Sequence, residues 1–370
     1  MIKTFSARNY RCIRDVTAHL TPLHAFIGPN DSGKSTLLHG LRTLIQFAGG
    51  AFVRGADGAW QPFDPDLPER HPAMVGQPKP HEVSLACEDV RLACEVEGGS
   101  YALEMTKDGL VECVPRGDGT IKPESRGWDN ESAYRLFPDA STAATFEQLR
   151  SAQLVRFDPD ALRAPSGLIP ESQRAGFLDD QGHGLPGVFF ALRNRSDDAL
   201  SVVVEDARRH FPTLKAIRFK PITSGTLVLE AELQNGVWVG ANRMSEGLLY
   251  YLAFAALQHL DPATLLLIEE PENGLHPARI AEVVRMLRVI VEEMGTQVII
   301  ATHSPLVINE LQPEEVTVVT RPSLEEGTQL TPMIETHNFQ KRSSVYALGE
   351  LWLSFANGID EGPLLRGRGE

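Results

Sequence analysis

The sequence predicts an α/β fold: a buried parallel sheet, an antiparallel β unit beside it and an inserted lobe between. Three observations carry this. The apolar runs TLLLI (264–268), QVIIAT (297–302) and VTVVT (316–320) have the composition of strands covered on both faces. Helical patterns separate such runs, and strands alternating with helices mean an α/β core. Residues 81–114 instead alternate in short runs split by Gly98-Gly99 and Asp108-Gly109, the pattern of an antiparallel meander. A chain of 370 residues is long enough for two or three lobes around one main core. We divide it at 1–114, 115–235 and 236–370.

Taken in order, the first 48 residues read as strand, strand, loop, helix. VTAHL (16–20) alternates, and HAFI (24–27) runs into a Gly-rich loop. Beyond the loop, Leu37, Leu38, Leu41, Leu44 and Ile45 recur at helical spacing and give one apolar face. Residues 49–80 are rich in Gly and Pro and predict a long loop. After the meander, residues 115–200 carry many Pro, Gly and Asp with only short helical patterns such as 141–152. TLVLEAEL (226–233) and GVWVG (236–240) predict a hairpin around Gln234-Asn235-Gly236. A helix starts near Ser245, and another runs from Pro277 to Glu293 with Ile280, Val283, Val284, Leu287 and Ile290 on one side. The segment YALGELWLSFANG (346–358) is helix-like.

Charge and composition exclude some classes of function. The formal net charge of −14 argues against a surface built for general duplex binding, which needs many Lys and Arg against phosphates. A local basic groove is compatible with that charge, so nucleic acid stays a candidate partner. Cys12, Cys87, Cys94 and Cys113 form no C-x-x-C pair and read as reduced thiols rather than a zinc site. The N-terminus lacks an apolar signal-peptide region, and the longest apolar run, LLYYLAFAAL (248–257), falls far short of a membrane span. The expectation is a cytoplasmic protein with no membrane contact.

Four motifs carry chemistry. GPNDSGKS (28–35) matches G-x-x-x-x-G-K-[ST] between an apolar strand and an amphipathic helix. Gly28 and Gly33 let the backbone turn N–H groups toward phosphates, with Pro29, Asn30, Asp31, Ser32 and Thr36 completing the loop. Lys34 reaches the β/γ oxygens, Ser35 holds Mg²⁺, and the helix N-terminus adds its dipole. LLLIEEPENGLHP (265–277) delivers two carboxylates at the C-terminal end of a strand, where α/β sheets place ligands. Glu269 would hold the Mg²⁺ shell, and Glu270 would orient and polarise the attacking water. Alone, the pair could equally be solvated charges. His303, after the strand 297–302, falls at the same sheet edge and can reach a γ-phosphate. In NRMSEGLLYYLAFAAL (242–257), Ser245 is an N-cap and Gly247 leaves the backbone open to a phosphate, although a capped core helix would carry the same residues.

The order of these motifs resembles the ABC-type ATPases. EEPENGLHP (269–277) and FSARNYRCIRD (5–15) resemble more narrowly the SMC/RecF/OLD-like branch, AAA-type proteins common in bacterial DNA-repair and anti-phage systems. The resemblance covers residues 1–48 and 236–310. It implies an ABC-type P-loop NTPase head with a mixed central sheet, an antiparallel β subdomain and an inserted lobe, using ATP and Mg²⁺. Gly28–Thr36 would be Walker A, Glu269 and Glu270 Walker B, 272–277 the D-loop with His276 near the dimer interface, and Met244–Gly247 the signature. The signature completes the site of the other subunit in this family, so a homodimer sandwiching ATP is implied. His303 would be the switch histidine.

Two departures stand out. Glu269 replaces the usual aspartate, and Glu246 puts a negative charge where many relatives have Gly, which would weaken or slow ATP-driven dimerisation. Gln148 and Gln153 are both candidates for the Q-loop residue. Arg11 and Arg14 either touch the nucleotide or lie on a solvated basic strand.

The resemblance implies an ATP-hydrolysing switch. With no sustained heptads and a stretch after residue 310 too short for a fused TOPRIM nuclease, the leading expectation is the sensor subunit of an anti-phage or DNA-maintenance complex, with a separate TOPRIM-like nuclease effector. The alternative is a RecF-like repair ATPase acting directly on DNA. A transporter ATPase subunit, which would carry LSGGQ, and a scaffold that never hydrolyses are further readings.

Overall fold

The computed structural model describes residues 1–49, 51–54, 60–63, 89–106, 109–114, 124–126, 140–170, 173–195 and 197–355. Strands β1 (Ile2–Tyr10), β2 (Ile13–His19) and β3 (Leu23–Ile27) lead into α1 (Lys34–Gly49). The hairpin β4 (Ala51–Arg54) and β5 (Trp60–Phe63) follows, then β6 (Val90–Val96), β7 (Gly99–Thr106), β8 (Gly109–Cys113) and β9 (Glu124–Arg126). The middle of the chain holds α2 (Ala140–Gln148), β10 (Ala152–Val155), α3 (Pro159–Arg163), β11 (Ser166–Gly167), α4 (Leu185–Arg195), α5 (Asp197–His210), β12 (Leu214–Pro221), β13 (Thr226–Leu233) and β14 (Trp238–Gly240). The last part runs α6 (Glu246–Leu257), β15 (Leu265–Glu269), α7 (Pro277–Met294), β16 (Gln297–Thr302), α8 (Pro305–Ile308), β17 (Val316–Thr320), β18 (Gln329–Pro332), α9 (Phe339–Ser343) and α10 (Leu348–Phe355).

The central sheet has the order β10-β15-β16-β3-β17-β18, parallel except for the last pair, and so is mixed as expected. Strands β15, β16, β3 and β17 are buried at every position, which accounts for their unbroken apolar runs. Their pleat sends alternate residues to opposite cores. Leu265, Leu267, Ile299, Ala301 and Phe26 pack with α1 and the antiparallel sheet, whereas Leu266, Ile268, Val298, Ile300, Ala25 and Ile27 pack with α6 and α7. Leu37, Leu38, Leu41 and Leu44 of α1 are all fully buried, each contributing about 2 kcal/mol by removal from water. Helix α1 is therefore clamped between two sheets, and its first turn is fixed at the edge of the central one.

The antiparallel sheet, β2-β1-β6-β7-β8-β9, contains the meander. Its strand β1 was not separable in the sequence because a bulge between Ile2 and Thr4 breaks the alternation. Part of the predicted 49–80 loop is the hairpin β4–β5, and the rest of that stretch lies outside the described residues. Strand β10 joins the central sheet beside β15, although it falls within the 115–235 stretch assigned to the insertion. Helix α4 left no stripe in the sequence because Leu185, Pro186, Gly187, Val188 and Phe189 are buried in succession. The β13–β14 turn is centred where expected, with Gly236 at φ 81°. Among the described residues no helix is long and apolar enough to cross a membrane.

Candidate functional site

The loop between β3 and α1 is held by close packing. A Cβ on Gly28 would lie 2.1 Å from the Val319 carbonyl oxygen of β17, so only glycine allows these strands to approach. Gly33 adopts φ 108°, and a Cβ there would lie 2.2 Å from Thr328 Oγ1. Thr328 Oγ1 donates to the Ser32 carbonyl at 2.9 Å, and Cys12 Sγ donates to Thr36 Oγ1 at 3.3 Å. Asp31 also has positive φ. Lys34 Nζ folds back to donate to the carbonyls of Gly28 (2.9 Å) and Pro29 (2.8 Å). Burial lowers the Lys34 pKa, against the opposing pull of Glu270, Glu272, Asp31 and Glu269. Ser32 Oγ is buried with no hydrogen-bond partner, and Ser35 is exposed in the first turn of α1. A cavity of about 260 Å³ flanks the loop, lined by Asn30 and Asp31 on one side and Arg321, Ser323 and Leu324 on the other.

The two acids stand where the sequence placed them. Glu269 ends β15 in register with Ala301 of β16, so the segments after both strands emerge side by side. Glu269 is buried, with Oε2 3.6 Å from Arg156 Nη1 and Oε1 3.9 Å from His39 Nε2. Burial lowers the His39 pKa, with Arg11 acting in the same direction, so this ring is neutral near pH 7 and does not offset the carboxylate. Glu269 Oε1 has no hydrogen-bond partner. Glu270 turns the chain with φ 50°, donates its N–H to the Ala301 carbonyl at 2.8 Å, and accepts from Asn273 Nδ2 at 2.8 Å. His303 Nδ1 lies 3.7 Å from Glu270 Oε1 and 3.5 Å from Glu272 Oε1. The structure thus gathers Lys34, Glu269, Glu270 and His303 at one sheet end.

Two further residues join this cluster: Arg156, which no motif marked, and Glu272, which the resemblance placed only in the D-loop. Arg156, just past β10, lies 3.6 Å from Glu269 and 3.9 Å from Glu270. Glu272 accepts from Thr302 Oγ1 at 2.7 Å and from the His303 N–H at 3.2 Å. A third acid in EEPEN was the visible signal for Glu272; for Arg156 there was none, because its partners are distant in sequence.

The other predicted residues outside the loop make no hydrogen bond or ion pair with Lys34, Glu269, Glu270 or His303. Ser245 caps α6, accepting from the Leu248 N–H at 3.4 Å, and a Cβ on Gly247 would touch the Gly274 carbonyl at 3.5 Å. Glu246 is not an isolated negative charge, since Arg163 Nη2 lies 3.7 Å from it. His276 caps α7, its Nδ1 accepting from the Ala278 N–H at 3.2 Å. Arg11 sits in the β1–β2 turn at φ 52°, with its guanidinium 5.6 Å from the Tyr10 ring centroid. Arg14 is exposed in β2, beside Gly327. Gln148 ties α2 to Glu97 and the N-terminal amine, and Gln153 pairs with Leu266 inside β10; the residue of this segment that reaches the acids is Arg156.

Comparison with known proteins bears on family and fold. A family model described as "AAA domain, putative AbiEii toxin, Type IV TA system" matches residues 117–309, and an AAA ATPase domain model matches residues 1–90. The Old nuclease of Escherichia phage P2 is 24% identical over 347 residues, 82% of this chain and 56% of that protein. The OLD nuclease of Thermus scotoductus is 42% identical over 45 residues, 12% of this chain and 8% of that protein. The chain thus spans about half the length, or less, of the curated relatives it matches. Among solved structures, an SMC head bound to the C-winged helix domain of ScpA aligns over 89% of this chain and 96% of that one, at 13% identity and a TM-score of 0.55. An SMC head with an extended coiled coil, bound to the C-terminal domain of ScpA derived from Pyrococcus furiosus, aligns over 89% and 95% at 13% identity and a TM-score of 0.51. At that identity the two structures establish the fold alone, an SMC-head-like α/β fold of the P-loop type. The chain belongs to the family of the first model, an AAA-domain family that matches just over half of its residues.

Proposed function

We propose that this chain is a Mg²⁺-dependent ATPase that closes ATP between two copies of itself and works as a switch. The observation that carries the proposal is the division of the motif residues. Lys34, Glu269, Glu270 and His303 share one sheet end, and none of their hydrogen bonds or ion pairs involves Ser245 or Gly247, although that helix start meets Gly274 of the same segment. Such a half-site is completed when a second copy supplies the helix start, and a two-fold contact does this for both sites at once.

The residues fit the nucleotide and its metal. Ser32 Oγ and Glu269 Oε1 are buried polar atoms without a hydrogen-bond partner, and the first turn of α1 has main-chain N–H groups for an anion. Gly28 to Thr36 would wrap the phosphates, with Lys34 exchanging its two carbonyl acceptors for phosphate oxygens. Ser35 and Glu269 would hold Mg²⁺, whose charge offsets that of the phosphates. Glu270 would orient a water for attack, and His303 would contact the terminal phosphate. Arg11 would reach the nucleotide from the β1–β2 turn.

Within this proposal the switch serves an anti-phage defence or DNA-maintenance complex in the cytoplasm, with a separate TOPRIM-like nuclease as effector. Its support is the match to two proteins named as nucleases. The enzymatic half is tested by phosphate release from ATP with Mg²⁺. Wild type should turn over, Lys34→Ala should not, and Glu270→Gln should accumulate as an ATP-bound dimer on a sizing column. A Glu270→Gln protein that stays monomeric with ATP while wild type hydrolyses it would refute the proposal.

A further inference from the structure

We propose that Glu272 is a positioning residue for His303, fixing the turn after β16 so that the imidazole is held at the nucleotide site. The proposal rests on the ATPase reading above and adds to it the group that holds the switch histidine in place.

One carboxylate oxygen makes three contacts with two consecutive residues. Glu272 Oε1 accepts from Thr302 Oγ1 at 2.7 Å, accepts from the His303 N–H at 3.2 Å, and lies 3.5 Å from His303 Nδ1. Hydrogen bonds to a carboxylate are among the stronger ones in proteins. The chain of contacts continues, because Thr302 Oγ1 accepts from the Ser304 N–H at 2.9 Å and Ser304 Oγ caps α8 through the Leu306 N–H at 3.3 Å. Thr302 is fully buried and the Glu272 side chain is 8% exposed, so this link is shielded from competing water. The His303 side chain, by contrast, is half exposed and free to meet a ligand.

The arrangement is costly for a merely structural tie. Glu272 Oε2 is buried with no hydrogen-bond partner, and Glu269 and Glu270 stand within the same four residues. An unsatisfied buried oxygen calls for an explanation. Fixing a ligand-facing histidine through its own backbone and the preceding hydroxyl provides one. The same segment reaches Gly274, which abuts Gly247 at the start of α6, so the histidine is tied to the chain that borders the signature.

The test uses the full chain with Glu272→Ala, Glu272→Gln, Thr302→Val, His303→Ala and the double variant Glu272→Ala/His303→Ala. Glu272→Ala should lower kcat by about 10–100-fold, the usual effect of losing such a support, with ATP affinity changed less than about 2-fold. Glu272→Gln keeps the acceptor oxygen and should stay within about 3-fold of wild type. The double variant should be no slower than His303→Ala, because Glu272 acts through that ring. Multiplying losses, or a glutamine variant as slow as the alanine one, would overturn the proposal. The second readout needs no turnover: the His303 resonance of histidine labelled with ¹³C at ε1, assigned by its loss in His303→Ala. It should move in Glu272→Ala and Thr302→Val and stay in place in Glu272→Gln. If wild type releases no phosphate, the ATPase reading fails and the resonance alone decides; a ring unmoved in folded Glu272→Ala or Thr302→Val overturns the positioning role.

Discussion

Replacing Gly33 with alanine separates the two constraints that shape the phosphate-binding loop. The first is conformational, since φ at Gly33 is 108°, where an L side chain costs about 1–3 kcal/mol. The second is steric: the new Cβ would lie 2.2 Å from Thr328 Oγ1, and such overpacking costs about 1–3 kcal/mol. Relieving the clash moves the Thr328 hydroxyl off the Ser32 carbonyl, a bond worth about 1 kcal/mol and not independent of the clash. The expected loss is therefore about 4 kcal/mol. In a Thr328→Ala background the hydroxyl is gone, and the nearest remaining atoms are Cys12 Sγ at 3.1 Å and the Cβ of residue 328 at 3.2 Å. There the same change should cost about 1–3 kcal/mol, most of it backbone strain. Urea unfolding of the four proteins, at constant m-value, measures both numbers as a double-mutant cycle. A Gly33→Ala protein within about 0.5 kcal/mol of wild type, or an equal cost in both backgrounds, would refute this account of the loop.

Two further outcomes follow from the packing. His24 is buried between Thr21 (3.1 Å to Nδ1) and Thr317 (3.0 Å to Nε2), and burial pushes its pKa down to about 4. The unfolded chain takes up this proton near pH 6.5, so the contribution is intact above that value and is lost as pH falls toward 4. Between pH 7 and 5 wild type should lose about 2 kcal/mol more than His24→Gln, and parallel pH profiles would exclude this role. Gly349 donates its N–H to Asn309 Oδ1 at 2.7 Å, and a Cβ there would lie 2.4 Å from the Pro305 carbonyl. Gly349→Ala should cost about 2 kcal/mol and speed amide exchange in 348–353, whereas unchanged exchange would mean that α10 does not press on α8.

What could be read from the sequence was local. Strands β15, β16 and β17 announce themselves because every residue is buried, so their composition alone distinguishes them. The loop 28–36, the acids at 269–270 and His303 are legible for the same reason, each lying immediately after a strand that fixes it. What was hidden depends on contacts between distant segments. Arg156 follows a four-residue strand in a Pro-rich and Asp-rich stretch, and only the β10–β15 pairing brings it to the acids. Thr328 and Val319 shape the loop from β17 and beyond, with no motif of their own. Glu246 looked like an obstacle in the linear pattern, and its pairing with Arg163 appears only in three dimensions. Strand β1 was obscured by its bulge, and α4 by being buried on successive residues.

On the proposed function, each nucleotide site is assembled from two copies of the chain. Lys34→Ala removes the loop half of a site, and Ser245→Arg removes the helix-start half, so neither protein alone should release phosphate from ATP. Mixed in equal amounts, half of the dimers would pair the intact loop of one copy with the intact Ser245 of the other, giving one working site. Turnover should return to about a quarter of the wild-type rate, as expected for an isologous dimer. A mixture as inactive as its components, from proteins that are folded and exchange partners, would contradict the claim.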